Sequence, residues 1–393
     1  MTKKVFITHA KRSAITNFGG SLRSLGPVDI GTQVLKSILD QTPDLKTETT
    51  MVIVGNVLSA GHGQNIARQV AYHAGIDVKV PSFTINQVCG SSIQAIISGM
   101  HYILSGNADC IIAGGVESMS NAAYVLPNHR WENKMGHNLL IDSMIHDGLW
   151  DAFNDIHMGI TAETIAKQWE ISRKSQDEFA LESQLKASKA QVAGKFTNEI
   201  SPITVKSKRE THIIDTDEFI RHDINLEKLN QLKPVFDKHG TITAGNASGL
   251  NDGSAFLVLM SEEKAKELNC DTDIEVVSSS ITGNDPSIMG VAPIESINQL
   301  LKRSKLTLND IDLIELNEAF AAQSIAVKQT LNIPDEKLNI NGGAIALGHP
   351  IGASGARITT TLFHEMKKQQ STFGISSLCV GGGQGLSLLL KQS

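Results

Sequence analysis

Short runs rich in valine and isoleucine recur along this chain with helix-like segments between them, and that alternation restricts the folds open to it. The runs are VFIT, TMVIVGNV, ADCIIAGGV, DIEVVSSS, LIELN and GISSLCVGGG; SIQAIISGMHYILSG and SINQLLKRSK read as helices. Strand-length apolar runs separated by helices predict an α/β layered architecture. The two ends of the chain also share a layout. TMVIVGNVLSAGHGQNIARQV and DLIELNEAFAAQSIAVKQT each run from an apolar strand through an asparagine and small residues into a helix. PSFTINQVCGSSIQAI lines up with KLNINGGAIALGHPIGASGAR, and ADCIIAGGVES with GISSLCVGGGQG. The step from Asn56 to Cys89 is 33 residues and that from Asn317 to His349 is 32, which predicts two similar halves.

Between the halves, over residues 120 to 269, the character changes. NAAYVLPNHRWENKMGHN is polar and contains proline, so it reads as a long excursion, a kind of segment that is often functional. ISRKSQDEFALESQLKASKAQVAGKF predicts a helix that starts at Ser172 or Ser175, stops by Gly194 and turns its charges to solvent. The expected organisation is an N-terminal half over 1–119, an inserted loop domain over 120–249, a return to the first half over 250–269, and a C-terminal half over 270–393.

With 393 residues, 41% of them hydrophobic and 19% charged, the chain is an ordinary globular one. Thirty-five Lys and Arg against 41 Asp and Glu give a net charge of −6, which argues against a general grip on nucleic acid. Cys89, Cys110, Cys270 and Cys379 lie far apart with no CxxC pair, neither a disulfide framework nor a zinc pattern. MTKKVFITHAKRS lacks the long apolar stretch of a secretory signal, and the final KQS is not a peroxisomal ending. No run approaches the 18 or so apolar residues of a membrane span. The expectation is a cytoplasmic protein with free thiols, no membrane and no metal.

Four blocks carry potential chemistry. QVCGSSIQAI sets Cys89 at the mouth of a helix, where N-terminal amides favour a thiolate; equally, a small free thiol there fills a core. NGGAIALGHPIGASGAR surrounds His349 with glycines, and the following proline disfavours a helical conformation at it. LNEAFAA places Asn317 at a strand end, as a cap or as a donor to a water or carbonyl. In SSLCVGGGQG, Cys379 stands beside three glycines; without a helix directly after it, that loop is no nucleotide fingerprint, but it exposes backbone N–H groups next to a thiol.

QVCGSSIQAI, LNEAFAA, GGAIALGHPIGASGAR and LCVGGGQG, in that order, strongly resemble the thiolase family. RSAITNFGGSL, GHGQNIARQV, ADCIIAGGVESMS, HMGITAE, LKPVF, GTITAGNASGLNDG and PSIMGVAP extend the likeness over nearly the whole chain. The resemblance implies a five-layered α-β-α-β-α fold of two similar halves with an inserted loop domain. It also implies ping-pong acyl transfer, with two acetyl-CoA giving acetoacetyl-CoA and CoA. Cys89 would carry the acetyl group, His349 would take its proton, and Cys379 would deprotonate the second acetyl-CoA. His349 with a water on Asn317 would form one oxyanion site, and the amides of Cys89 and Gly381 the other. Arg221, Ser248, His157, Met158 and Met289 would contact CoA or its acyl group. The stretch near 120–140 resembles the family's tetramerisation loop, so a homotetramer is implied, and no cofactor beyond the CoA substrates.

Two positions depart from the family pattern. Ser92 stands where CGSG has glycine, and Ala292 stands where MGxGP has its second glycine; both are expected to narrow the acyl pocket or shift loop packing. The competing readings are a degradative 3-ketoacyl-CoA thiolase of broader chain length and, from a different class, an inactive thiolase-like scaffold. Ketoacyl and hydroxymethylglutaryl synthases lack the second cysteine in a CxGGGxG block.

Overall fold

The structure is a computed structural model that describes residues 3–131, 135–208 and 210–392. Among them, ten strands join in one sheet: β1 (Val5–Arg12), β2 (Thr16–Asn17), β3 (Met51–Gly55), β4 (Ser82–Ile85), β5 (Cys110–Ser118), β6 (Asn251–Ser261), β7 (Ile274–Gly283), β8 (Leu313–Leu316), β9 (Phe373–Val380) and β10 (Gln384–Gln392). Their order is β8-β9-β10-β7-β1-β6-β5-β3-β4, with the short β2 against β6. Each half repeats one pattern. β3 is parallel to β5, which is antiparallel to β6, which is antiparallel to β1. Likewise β8 is parallel to β9, which is antiparallel to β10, which is antiparallel to β7. The halves join where β1 meets β7, at Phe6 against Glu275 and Ile7 against Ile274.

Eight helices position the site: α1 (Pro27–Gln41), α2 (Ile66–Ala74), α3 (Ser91–Leu104), α4 (Met158–Gln168), α5 (Arg173–Val192), α6 (Ala292–Ser304), α7 (Ala321–Leu331) and α8 (Ser354–Gln369). α1 and α2 bury Ile30, Val34 and Val70 on the outer face of the first half, against Val54 and Phe256. α6 and α7 do the same for the second half with Ile297, Leu300 and Val327 against Ile314 and Leu389. α3 and α8 lie between the two sheet halves, where Ile93, Ile97, Ile358 and Leu362 meet Leu257 and Leu388. Each such side chain contributes roughly 1.5–3 kcal/mol on leaving water. The result is the five-layered α-β-α-β-α arrangement expected from the resemblance. β5, sandwiched between neighbouring strands and helices on both faces, is buried along its whole length and so reads as a continuous run, not as an alternation.

The inserted region contributes α4, α5 and three short hairpins, of which 124–125 pairs with 141–142 and 150–151 with 156–157. Residues 132–134 of the excursion lie outside the described residues. Buried Arg12 on β1 ties the insertion down, bonding Asp217 through both terminal nitrogens at 2.7 and 2.8 Å and Glu199 through Nε at 2.7 Å. α5 is capped by Ser172, whose hydroxyl accepts from the Ser175 N–H at 3.1 Å. Its charges do not all face solvent. Asp177 is fully buried and accepts from Arg173 and Asn246, because the helix packs beneath the 240–247 loop. No helix among the described residues is long and apolar enough to cross a membrane.

Candidate active site

Cys89 sits at the end of a tight turn that feeds α3. Val88 holds φ at 47°, a left-handed conformation that is unfavourable for a β-branched residue. The surroundings impose it. Val88 donates its N–H to Asn86 Oδ1 at 3.0 Å, while the Ser91 hydroxyl accepts from the Gln87 N–H at 2.9 Å and donates to the Val88 carbonyl at 2.6 Å. Strain held by local bonds in this way is typical of functional turns. The backbone N–H groups of Cys89 and Gly381 are directed at the Cys89 sulfur, but burial outweighs them and pushes the thiol up to about 12. The helix mouth therefore does not hold a resting thiolate.

His349 is buried, 6% exposed, in the loop that precedes α8. Its N–H donates to Asn251 Oδ1 at 2.9 Å. Nδ1 is 2.5 Å from the Ser354 hydroxyl, which lies 2.9 Å from the Pro350 carbonyl and donates to it. The serine's one proton is thus committed, so Nδ1 carries a hydrogen and donates it, which leaves Nε2 with its lone pair. Asn317 Nδ2 is 3.4 Å from that nitrogen. Burial, with the Arg357 cation adding to it, lowers the imidazole to about 3, so it is neutral at ordinary pH. Asn317 is buried, and its Oδ1 has no hydrogen-bond partner among the described residues. Cys379, 1% exposed at the end of β9, is pushed well up by burial and by its proximity to Cys89.

A cavity of about 440 Å³ leads to His349, with Ser248, Arg221 and His157 on its wall. Arg221 stacks over Phe219, 5.5 Å from the ring centroid, and donates to the Ala244 carbonyl. His157 accepts the Gly159 N–H on Nδ1 at 3.0 Å, which leaves Nε2–H as its donor, and stacks on Phe236 with centroids 4.5 Å apart. Met158 and Met289 do not line this cavity. They form a buried cluster with Cys379, Ala319 and Phe320, closing the space behind the thiols. At Gly381 a β-carbon would meet the Met158 methyl group, so a larger residue there would have to displace that side chain. Among the described residues, no group of three or more His, Cys, Asp or Glu is placed to hold a metal ion.

Two buried thiols, backbone amides converging on one of them, and a neutral imidazole with an unprotonated Nε2 at the wall of an apolar cavity are groups of the kind that acyl transfer uses. Residues 5–263 match the thiolase N-terminal domain and residues 271–392 the thiolase C-terminal domain. The chain belongs to the thiolase family of acyltransferases. A probable acetyl-CoA acyltransferase of Staphylococcus epidermidis is 49% identical over 390 residues, 99% of each chain, and one of Staphylococcus aureus 47% over the same span. The Bacillus anthracis acetyl-CoA acetyltransferase superposes with a TM-score of 0.97 at 44% identity, covering 100% of this chain and 99% of that one. Human mitochondrial 3-ketoacyl-CoA thiolase does so with 0.96 at 39%, covering 100% and 99%.

In this thiolase neither departure from the family pattern reaches the cavity. Ser92 is fully buried in the first turn of α3, and its hydroxyl accepts the Ala356 N–H of α8 at 2.9 Å. Ala292 begins α6 and packs its backbone against Gly385 of β10. Both residues make packing contacts, as in the loop-packing alternative of the expectation. Nothing in the sequence marks Ser354 and Asn251 as the residues that orient His349, although Ser354 follows His349 by five positions in the same block. Nor does it mark Phe219, Phe236 and Phe320, which come from separate segments without a shared motif.

Proposed function

We propose that this thiolase catalyses the reversible condensation of two acetyl-CoA to acetoacetyl-CoA and CoA through an acetyl-Cys89 intermediate. The observation that carries this reading is the neutral His349, its Nε2 lone pair 3.4 Å from Asn317 Nδ2 at the cavity wall, together with two buried thiols near enough to act on each other. Nε2 takes the Cys89 proton, and the thiolate attacks the acetyl carbonyl while the Cys89 and Gly381 amides hold the oxyanion. CoA leaves and takes its proton from Cys379. The Cys379 thiolate then removes a methyl proton from the second acetyl-CoA. The imidazolium and a water held by Asn317 Oδ1 stabilise the enolate. Attack of the enolate on acetyl-Cys89 releases acetoacetyl-CoA, and the imidazolium returns its proton to Cys89. The cycle closes without a bound cofactor or metal ion. Burial suits Cys379 to its role, because a thiolate that is costly to form is a strong base once formed.

Arg221, Ser248 and the His157 Nε2–H are the proposed CoA contacts, at a cavity mouth whose wall is otherwise mostly apolar. Met158 and Met289, packed behind Cys379, favour a small acyl group. A broader 3-ketoacyl-CoA thiolase is the second reading, favoured by the apolar side chains of Met119, Met144, Leu149 and Ile351 near His349. Exposed Tyr124, Trp131 and Leu139 on the excursion support a homotetramer, and light scattering tests it. Four free cysteines, two of them required reduced, suit the cytoplasm.

Intact mass after incubation with acetyl-CoA should show one acetyl adduct, absent in Cys89→Ala; an unmodified wild-type protein would favour an inactive scaffold. Cys379→Ala should acylate and fail to condense, and normal condensation by it would remove Cys379 as the base. Thiolysis rates across acyl lengths should be highest for acetoacetyl-CoA, whereas a preference for long chains selects the second reading.

A further inference from the structure

Glu117, near the end of β5, is fully buried and no cation pairs with it among the described residues. Its carboxylate accepts four hydrogen bonds. Oε1 takes Asn56 Nδ2 at 2.9 Å and the Leu58 N–H at 3.1 Å; Oε2 takes the Val57 N–H at 3.1 Å and the Gly352 N–H at 2.9 Å. Burial without a cation pushes this carboxyl up to about 7. All four partners are donors, however, so a proton on either oxygen would displace one of them, and the geometry is that of the ionised form.

The symmetry of the halves shows what this position is. Gly55 pairs with Gly115 in the first half as Leu316 pairs with Ser377 in the second. One residue beyond the first partner stand Asn56 and Asn317; two beyond the second stand Glu117 and Cys379. Glu117 therefore faces the loop of His349 from the strand end equivalent to the one from which Cys379 faces the loop of Cys89. The packing there has no slack. A β-carbon on Gly352 would come 2.6 Å from Glu117 Oε2 and 3.0 Å from Asn56 Cα.

We propose that Glu117 is a positioning residue: its carboxylate clamps the 349–353 loop to the strand ends beside Cys89 and so fixes the His349 imidazole against the nucleophile. This rests on the thiolase reading for its catalytic consequence. Three contacts then hold His349, namely Asn251 on its N–H, Ser354 on Nδ1 and Glu117 on the loop that joins the two. Glutamine cannot replace the carboxylate, because its amide nitrogen would face two N–H donors wherever it turned. Aspartate keeps the charge but falls one methylene short of Gly352.

The test uses Glu117→Asp and Glu117→Gln, with the aspartate variant deciding if the glutamine variant does not fold. In a folded variant kcat for acetoacetyl-CoA thiolysis should fall roughly tenfold to a hundredfold, as for a misplaced catalytic group, with KM within about twofold of wild type. The ¹⁵N shifts of His349, recorded on histidine-labelled protein, should move from a single Nδ1–H tautomer towards a mixture. A folded variant that keeps its kcat, or one that loses kcat while His349 keeps its wild-type shifts, overturns the proposal. Should wild-type protein show no thiolysis while the shifts still move in the variant, the thiolase chemistry fails and the clamp stands.

Discussion

Burial decides the protonation state of both proposed reacting groups before any substrate arrives. Cys89 is raised to about 12 and His349 lowered to about 3, so the resting pair is thiol and imidazole rather than thiolate and imidazolium. Thiolate absorbance should show no difference between wild type and Cys89→Ala at pH 7; a resting ion pair would give a signal there. Ser92 illustrates a different point. Its motif position, three residues past the nucleophile, suggests a pocket residue, but a helix turns that side chain away from Cys89 and towards α8. Ser92→Gly removes the acceptor for the Ala356 N–H and should cost about 1–2 kcal/mol in urea denaturation. The ratio of thiolysis rates for short and long acyl groups should stay unchanged, and a changed ratio would return Ser92 to the pocket.

Elements differ in how well the sequence announces them. β3, β5 and β8 are legible because buried parallel strands are mostly apolar, with Glu117 in β5 and Glu315 in β8 as buried exceptions. α8 is not: SGARITTTLF combines glycine with β-branched residues, a poor helix former in isolation. It is helical because it is buried almost all round between the two sheet halves, a tertiary cause with no local trace. The blocks around Cys89, His349, Asn317 and Cys379 were legible because small residues mark close approach, whereas Phe236 and Phe320 become a wall only after folding. α4 fixes part of the cavity wall. Its Glu163 accepts the Thr241 and Ile242 N–H groups at 2.8–2.9 Å and the Thr241 hydroxyl at 3.0 Å, holding the loop that leads to Ser248. Glu163→Ala should raise KM for CoA thioesters severalfold and lower kcat much less; the reverse split would place Glu163 in the chemistry.

Over the whole molecule, the buried thiols set an alkaline limit. Cys89 and Cys110 are each raised to about 12, and Cys379 is raised as well. A thiol whose native pKa lies above its unfolded one contributes stability that is present below about pH 9. That contribution is lost as pH rises towards about 12, because the unfolded chain releases its protons first. Urea midpoints should therefore hold steady to about pH 9 and then fall. Cys110→Ala, far from the cavity, should flatten part of that fall and leave turnover intact; an unaltered slope would assign the alkaline limit elsewhere. The two-half architecture has a consequence in time as well. Cys89 belongs to the half that leaves the ribosome first, and its base arrives on a loop made much later. Until α8 docks beside α3, the proposed nucleophile stands without His349. In refolding, the capacity to form acetyl-Cys89 should therefore appear only with the docking of the second half.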